Sequence, residues 1–484
     1  MLSIFSCAKD HGSDRYQPLN RLNVQNSNGE NFAGTRFIVQ RNENILISPI
    51  VLGSTAAVNE GDLNFSWIVG SDTLSKEKSL SIQAGAVLPG EYTGKLIIND
   101  QSTQLSYSFS FSVLVMASVG HGSYVLAMDE SGQTIMSMFA ERPEKHAVSI
   151  YTFERGPLGR DPVGLEVSYR VNEDRTLEYK RLLIVTKKGP FPMIGLDFNT
   201  LKTSFVVPSM GAVPDGTVLR PSYFQSDHVS SLNEDKFDGI LLIGGKCYNF
   251  VNGMFSGDSY WQDPLNYDFG TNGVIYTGSS ELKGNFISGF DQRSERIRVF
   301  DNALTGGGIY WNNSDDKQYF PSLTAGNEFL ASASNDSDKP TWIYLLKKND
   351  LVTMLETTSD GLNPSRLELL YYHQSNILAD GIGFILKDNY WYFAHHRTIY
   401  RFPKNSLDFE PYLRLPEDQT GRIVSWKFSL ADIIGKSKIA VATFNKDAPQ
   451  IKKGSFYLYD RHSMNLERKD LFTLDRAVDM RLCY

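Results

Sequence analysis

The sequence predicts an all-β protein, a sandwich of packed sheets followed by a ring of about seven radially arranged sheets. Three observations predict it. Short segments alternate apolar with polar residues, as where Leu63, Phe65 and Trp67 share one strand face and Asn64 and Ser66 the other. Aromatic residues make up 12% of the chain, with 24 Tyr and 29 Phe, and 39 Gly punctuate them, the composition of strands joined by tight turns. Beyond about Met116 a unit of apolar strand, polar turn and second strand recurs to the end of the chain.

The elements follow in order. In residues 1–18, the apolar run MLSIFS stops at Cys7. It is shorter than the ~20 residues of a membrane span and the ~7–15 of a signal peptide's apolar region. The polar stretch KDHGSDRYQP after it reads as a solvated tether. Residues 19–116 hold RFIVQ (36–40), NILISPIVL (44–52), LNFSWIVG (63–70), PGEYTGKLIIND (89–100) and YSFSFSVLV (107–115). Five such strands in about 100 residues have the rhythm of a β-sandwich.

Residues 117–484 carry the repeat, anchored at Val125, Leu182, Leu241, Phe286, Ile343, Trp391 and Ala440, in steps of 57, 59, 45, 57, 48 and 49 residues. Each unit has room for a four-stranded blade, since propeller repeats run about 40–50 residues. One blade cannot bury both faces of its sheet, whereas a ring of blades can. The reading is therefore a β-propeller of about seven blades, six and eight being the neighbouring counts. A pair of sandwiches is the competing all-β arrangement. At the C-terminus Val478, Met480, Leu482 and Tyr484 alternate, which predicts a strand that closes the ring on the first blade. Cys483 then lies at the closing seam and Cys247 in the third blade, too far apart for a disulfide, whose Cα atoms sit about 4.4–6.8 Å apart. Both are expected as free, buried thiols.

Charge and motifs narrow the function. With 48 Lys plus Arg against 55 Asp plus Glu, the net charge is −7, which argues against nucleic acid as a partner. The segment 108–120 is the nearest to a membrane-length apolar run, and it alternates as a strand does. No His-Glu-x-x-His and no Cys-x-x-Cys occurs, so no metal site and no cofactor is predicted. His395 and His396 are adjacent, would point to opposite strand faces, and read as surface turn residues. No Gly-x-Ser-x-Gly elbow is present. Gly306 to Gly308 lack the strand-then-helix context of a phosphate loop. The acidic loops 312–317 and 334–339 match no Ca²⁺-loop spacing. No catalytic residue is nominated. Carboxylates are plentiful, so a propeller glycosidase or polysaccharide lyase, using two of them across a cleft, is the alternative. The Asp-box repeat of sialidase propellers is missing.

Two aromatic loops are the candidate ligand contacts. SYWQDPLNYDF (259–269) contributes Tyr260 and Trp261, and IYWNNSDD (309–316) contributes Tyr310 and Trp311. Their rings beside amides and acids suit the stacking and hydrogen bonding of sugars, and equally suit core packing.

Residues Ile4, Phe5, Ser6 and Cys7 resemble a lipobox. The buried-Trp strand LNFSWIVG and the turn LPGEYTGKLIIND resemble a PKD-like, immunoglobulin-type domain. With Cys7, Lys9, Asp10, Gly12 and Tyr16 in the pattern of a mature N-terminus, the layout resembles the PKD-like lipoproteins of Gram-negative gut bacteria. The resemblance implies a lipid anchor on Cys7 and, through the Lys-Asp pair, a place on the cell surface at the outer membrane. It also implies association with glycan-uptake complexes, and hence a non-enzymatic platform for a glycan or protein partner.

Overall fold

The structure is a computed structural model. It describes residues 19–40, 44–69, 72–83, 90–116, 121–140, 146–147, 157–171, 177–189, 191, 193–207, 221–227, 238–243, 245–251, 254–256, 268–270, 274–277, 286–302, 309–310, 325–335, 341–360, 363–430 and 437–484. Chain contacts divide it into two units, Met1–Ser118 and Val119–Tyr484.

The first unit is a β-sandwich. Its large sheet orders the strands Arg36–Gln40, Leu105–Met116, Gly90–Asp100, Leu63–Val69 and Asp72–Ser75, and the first two of these run parallel. Two short pairs complete the unit, Leu22–Gln25 with Ile50–Gly53 and Asn44–Ile47 with Leu80–Gln83. The segment NILISPIVL, expected as one strand, is two. Pro49 lies at the break, where a residue without an N–H cannot continue a ladder. Leu63, Phe65 and Trp67 are buried as their alternation predicts. Trp67 donates Nε1–H to the Glu77 carbonyl at 2.9 Å and meets Phe111 edge-on at 5.5 Å. Phe111 lies across from Gly94, where a Cβ would come within 2.3 Å of its ring. Glycine at that position lets the buried ring lie flat on the neighbouring strand.

The second unit is a seven-bladed β-propeller of four-stranded antiparallel sheets. Blade 1 holds Arg476–Cys483, Gly122–Met128, Thr134–Ala140 and His146–Ala147. Blade 2 holds Arg160–Val171, Leu177–Lys188, Met193–Asp197 and Thr203–Val207. Blade 3 holds Pro221–Asp227, Asp238–Ile243, Lys246–Val251 and Met254–Ser256. Blade 4 holds Val274–Thr277, Phe286–Asp291, Arg296–Asn302 and Ile309–Tyr310. Blade 5 holds Glu328–Asn335, Thr341–Lys348, Leu351–Asp360 and Asn363–Gln374. Blade 6 holds Ile382–Lys387, Tyr390–His395, Thr398–Pro403 and Glu410–Arg414, and blade 7 holds Arg422–Phe428, Lys438–Phe444, Gly454–Asp460 and Leu466–Leu474. The first strands of successive blades adjoin around the axis, and Arg476–Cys483 adjoins those of blades 2 and 7. All seven repeat anchors fall on second strands.

Second strands read as unbroken apolar runs because each sheet is covered on both faces by its neighbours. Alternate residues go to opposite seams. In blade 7, Ile439, Val441, Tyr457 and Tyr459 pack on blade 6. Ala440, Ala442, Phe456 and Leu458 pack on blade 1 with Met480 and Leu482. Blade 6 repeats this, with Trp391 and Phe393 facing blade 5 and Tyr392 and Ala394 facing blade 7. At the closing seam Phe139 and Phe456 stack 4.1 Å apart.

Several hairpins share one five-residue device. In Asp197–Leu201, Asp291–Glu295 and Asp460–Met464 an Asp carboxylate accepts hydrogen bonds from the Ser or Thr side of its own turn, and the fifth residue is left-handed. This is the four-residue turn plus αL residue that restores strand register.

The closing strand differs from expectation at one residue. A bulge at Val478 takes its side chain out of line with Met480 and Leu482 and sets it at the axial cavity. Cys483 is buried and free. The Cys247 side chain lies outside the described residues, though its strand is in blade 3 as expected.

Candidate functional site

The end of the ring that carries the turns between second and third strands opens into an axial cavity of ≈ 1150 Å³. Two sets of backbone positions line it. Starts of first strands contribute Asp161 and Pro162 of blade 2, Leu330 of blade 5, Ile382 of blade 6, Arg422 to Val424 of blade 7 and Arg476 to Val478 of blade 1. Ends of second strands contribute Met128, Lys187, Lys188, Lys347, Ala394, His395 and His396. A propeller directs both sets toward its axis because those strands are the innermost two of each blade.

Among the described residues the lining is basic. Lys187, Lys188, Lys347, Arg422 and Arg476 face two carboxylates, Asp161 and Asp380, with two imidazoles beside them. Lys188 pairs with Asp161 at 2.7 Å and, as its hydrogen-bond partner, holds that carboxyl below the usual carboxylate range. Lys347 donates to the Ala379 carbonyl at 3.2 Å, which ties blade 5 to the short helix Asn376–Ala379 ahead of blade 6. Arg422 and Arg476 are exposed and form no ion pair with a described residue. An unpaired guanidinium in a concave site is a fork of donors open to a carboxylate, sulfate or phosphate.

His395 ends the second strand of blade 6 and His396 is exposed in the hairpin turn that follows, as expected; what departs from a strand pattern is the backbone at His396. His396 is left-handed, with φ 52°, so the alternation of a strand ends there. The rings come within 4.2 Å, near-perpendicular, and both line the cavity. The His396 carbonyl accepts from Ile423 N–H at 2.7 Å, fixing the turn to blade 7. Burial, and then the neighbouring His396, push His395 below the ordinary imidazole value, while Asp380 opposes them. His395 is therefore mostly neutral near pH 7.

A second cavity of ≈ 490 Å³ lies in the seam between blades 7 and 1. It is lined by Gly421, Arg422, Val424, Phe444, Asn445, Lys446 and Arg476, so it shares Arg422, Val424 and Arg476 with the axial cavity.

Deeper along the axis lies an ion cluster that joins the ring. Arg481 forms a two-pronged pair with Glu166 of blade 2, both contacts 2.7 Å, and a third contact to Asp479 at 3.1 Å. Lys427 of blade 7 reaches Asp479 at 3.4 Å. Burial works to raise the Asp479 carboxyl, yet Arg481 and Lys427 hold it below its ordinary value. Burial pushes the Cys483 thiol well up, the opposite of the lowered value of an activated nucleophile.

Of the residues nominated from sequence, Cys7, Tyr260, Trp261 and Trp311 lie outside the described residues. Tyr310 ends the outermost strand of blade 4, and its side chain too lies outside them. Sequence reasoning passed over the basic lining. Its signal was there, because the second strands of blades 2 and 5 end in KK and that of blade 6 runs into HH at its turn. Among the described residues no group of three His, Cys, Asp or Glu side chains is placed to hold a metal ion, and no helix is long and apolar enough to cross a membrane.

No family model matches the chain, and no curated protein matches it. Among solved structures it is similar to a quinoprotein alcohol dehydrogenase-like protein from Bacteroides thetaiotaomicron, at 12% identity, over 94% of this chain and 97% of that one, with a TM-score of 0.45. It is similar to the extracellular domain of a putative hybrid two-component system from the same bacterium, at 12% identity, over 80% of this chain and 54% of that one, with a TM-score of 0.41. A third similar structure is the WD40 domain of SCAP from fission yeast, at 9% identity, over 73% of this chain and 87% of that one, with a TM-score of 0.33. At such identities the likeness is one of fold, and no ligand or activity passes from these proteins to this one.

Proposed function

We propose that the protein is a non-catalytic binding platform whose propeller takes an anionic ligand into the axial cavity. The observation that carries this is the contrast in charge. Among the described residues, five Lys and Arg side chains face two carboxylates there, in a chain of net charge −7. Cations gathered in a concavity of an otherwise acidic molecule focus the field on anions and bring them in faster. Arg422 and Arg476 have no ionic partner among the described residues and are available to a ligand. Asp161, kept ionised by Lys188, is poorly suited to donate a proton near neutral pH, which counts against a glycosidase using it as general acid.

The direct test is affinity electrophoresis of the full chain in gels containing polygalacturonate, dextran sulfate or neutral dextran. The polyanions retard the protein and dextran does not. Arg422→Glu with Arg476→Glu abolishes the retardation. Free migration through both polyanions, or equal retardation by dextran, sinks the reading.

The likeness of Ile4 to Cys7 to a lipobox, and Lys9-Asp10 after it, support lipid on Cys7 and a tether to the outer-membrane surface, in company with a glycan-uptake complex. Stable anchoring takes more than one acyl chain. Cells making the protein incorporate labelled palmitate into it, and Cys7→Ala removes the label. Label kept by that variant refutes the anchor.

A further inference from the structure

We infer that the anionic ligand is a linear acidic oligosaccharide that enters at the axis and leaves through the seam between blades 7 and 1. This rests on the axial-cavity reading above and adds the ligand's class and path.

Three observations carry it. First, the axial cavity and the seam cavity share a wall of Arg422, Val424 and Arg476, so a ligand held by those guanidiniums touches both. Second, cations continue outward. Lys187 and Lys188 stand on the blade 2 side of the axis, Arg422 and Arg476 at the junction, and Lys446 at the outer end of the seam. Lys446 is exposed and, like the two arginines, forms no ion pair with a described residue. Two nearby lysines of blade 7 are engaged, Lys452 with Asp475 and Lys453 with Glu130 of blade 1, whereas Lys446 is left open. Third, size decides against a single small anion. The axial cavity alone, at ≈ 1150 Å³, exceeds the ~300–1,000 Å³ of small-molecule sites, and the seam adds ≈ 490 Å³.

A chain with an anionic group on each unit matches cations strung along a path. Each guanidinium takes a carboxylate or sulfate through two parallel hydrogen bonds, and the neutral ring between charges meets the apolar wall of Val424, Ile423 and Val478. A nucleic-acid strand is disfavoured. Such strands are held by stacking aromatic side chains in a basic groove, and among the described lining residues of both cavities Phe444 is the sole aromatic other than the two imidazoles.

The test is isothermal titration of the full chain with galacturonate trimer and octamer, a sulfated glucan octamer, a neutral glucan octamer and octathymidylate. An acidic octamer is expected to bind at least tenfold tighter than the trimer, and the tighter of the carboxylated and sulfated octamers assigns the anionic group. Lys446→Glu brings the octamer down at least fivefold, toward the trimer. Lys95→Glu, the same charge change on the exposed sandwich surface, leaves it at the wild-type value. Equal affinity for trimer and octamer, or equal loss in both variants, overturns the seam path while the axial cavity stands. Octathymidylate or the neutral octamer binding as tightly as the acidic sugars overturns the ligand class. If polyanions fail to retard the protein in gels and no anionic oligomer binds in solution, the axial reading itself is wrong.

Discussion

At the scale of single residues, Arg481 is the side chain whose loss would strand a buried charge at the closing seam. Its side chain is 15% exposed and that of its partner Glu166 is 6% exposed. The pair is made between the last strand in sequence and a strand 315 residues earlier. Removing one member of a buried pair strands the other charge, at a cost of about 3–5 kcal/mol. Arg481→Met is therefore expected to lower the unfolding free energy of the propeller by about that much in urea titration. Adding Glu166→Met is expected to restore most of it, because the penalty lies in the orphaned carboxylate. A single variant as stable as the parent would show that the cluster contributes nothing to closure.

At the scale of an element, the strand Arg476–Cys483 is the clasp of the ring. It pairs along its length with Gly122–Met128. Beyond it the Tyr484 hydroxyl hydrogen-bonds Ser123 at 2.7 Å, and the Tyr179 hydroxyl donates to the Tyr484 carbonyl at 3.2 Å. Its apolar face, Ala477, Met480 and Leu482, completes the core between blades 7 and 1. Burying each large side chain there is worth about 1.5–3 kcal/mol. A chain ending at Asp475 leaves Gly122–Met128 as an open edge and uncovers that seam. It is expected to lose near-UV circular dichroism and amide protection in blades 1 and 7 ahead of blade 5, in native-state hydrogen exchange. Uniform protection across the blades would mean that the ring does not depend on its clasp.

At the scale of the whole molecule, closure brings the titratable cavity into being. His395 is held below its ordinary value by burial and by His396. Asp380, Lys347 and Arg422 also line the space around it. A bound anion favours the imidazolium, so binding takes up a proton. The sign follows: affinity for a carboxylated ligand rises as pH falls from about 7.5 to about 5.5, because uronate carboxylates stay ionised above their own pKa near 4. The expected gain is at least fivefold by titration calorimetry, and the double variant His395→Ala with His396→Ala flattens it. A profile independent of pH in the parent would remove the imidazoles from the ligand's surroundings.

Much of this architecture is written locally. Trp67 and its alternating neighbours, the seven apolar second strands and the polar hairpins each declare themselves over a few residues, because a strand's side-chain period of two and its turn chemistry are local properties. The amino-acid sequence by itself therefore determined the all-β class, the repeat and the closing strand. The tertiary structure alone decided the rest. His396 left the strand pattern through one left-handed backbone angle, Val478 left the core through a bulge, and Lys187, Lys347, Arg422 and Arg476 became neighbours of one cavity though scattered along the chain. Their meeting depends on how many blades close the ring and how each is turned toward the axis, and that is set by packing between sheets rather than by any short stretch of residues.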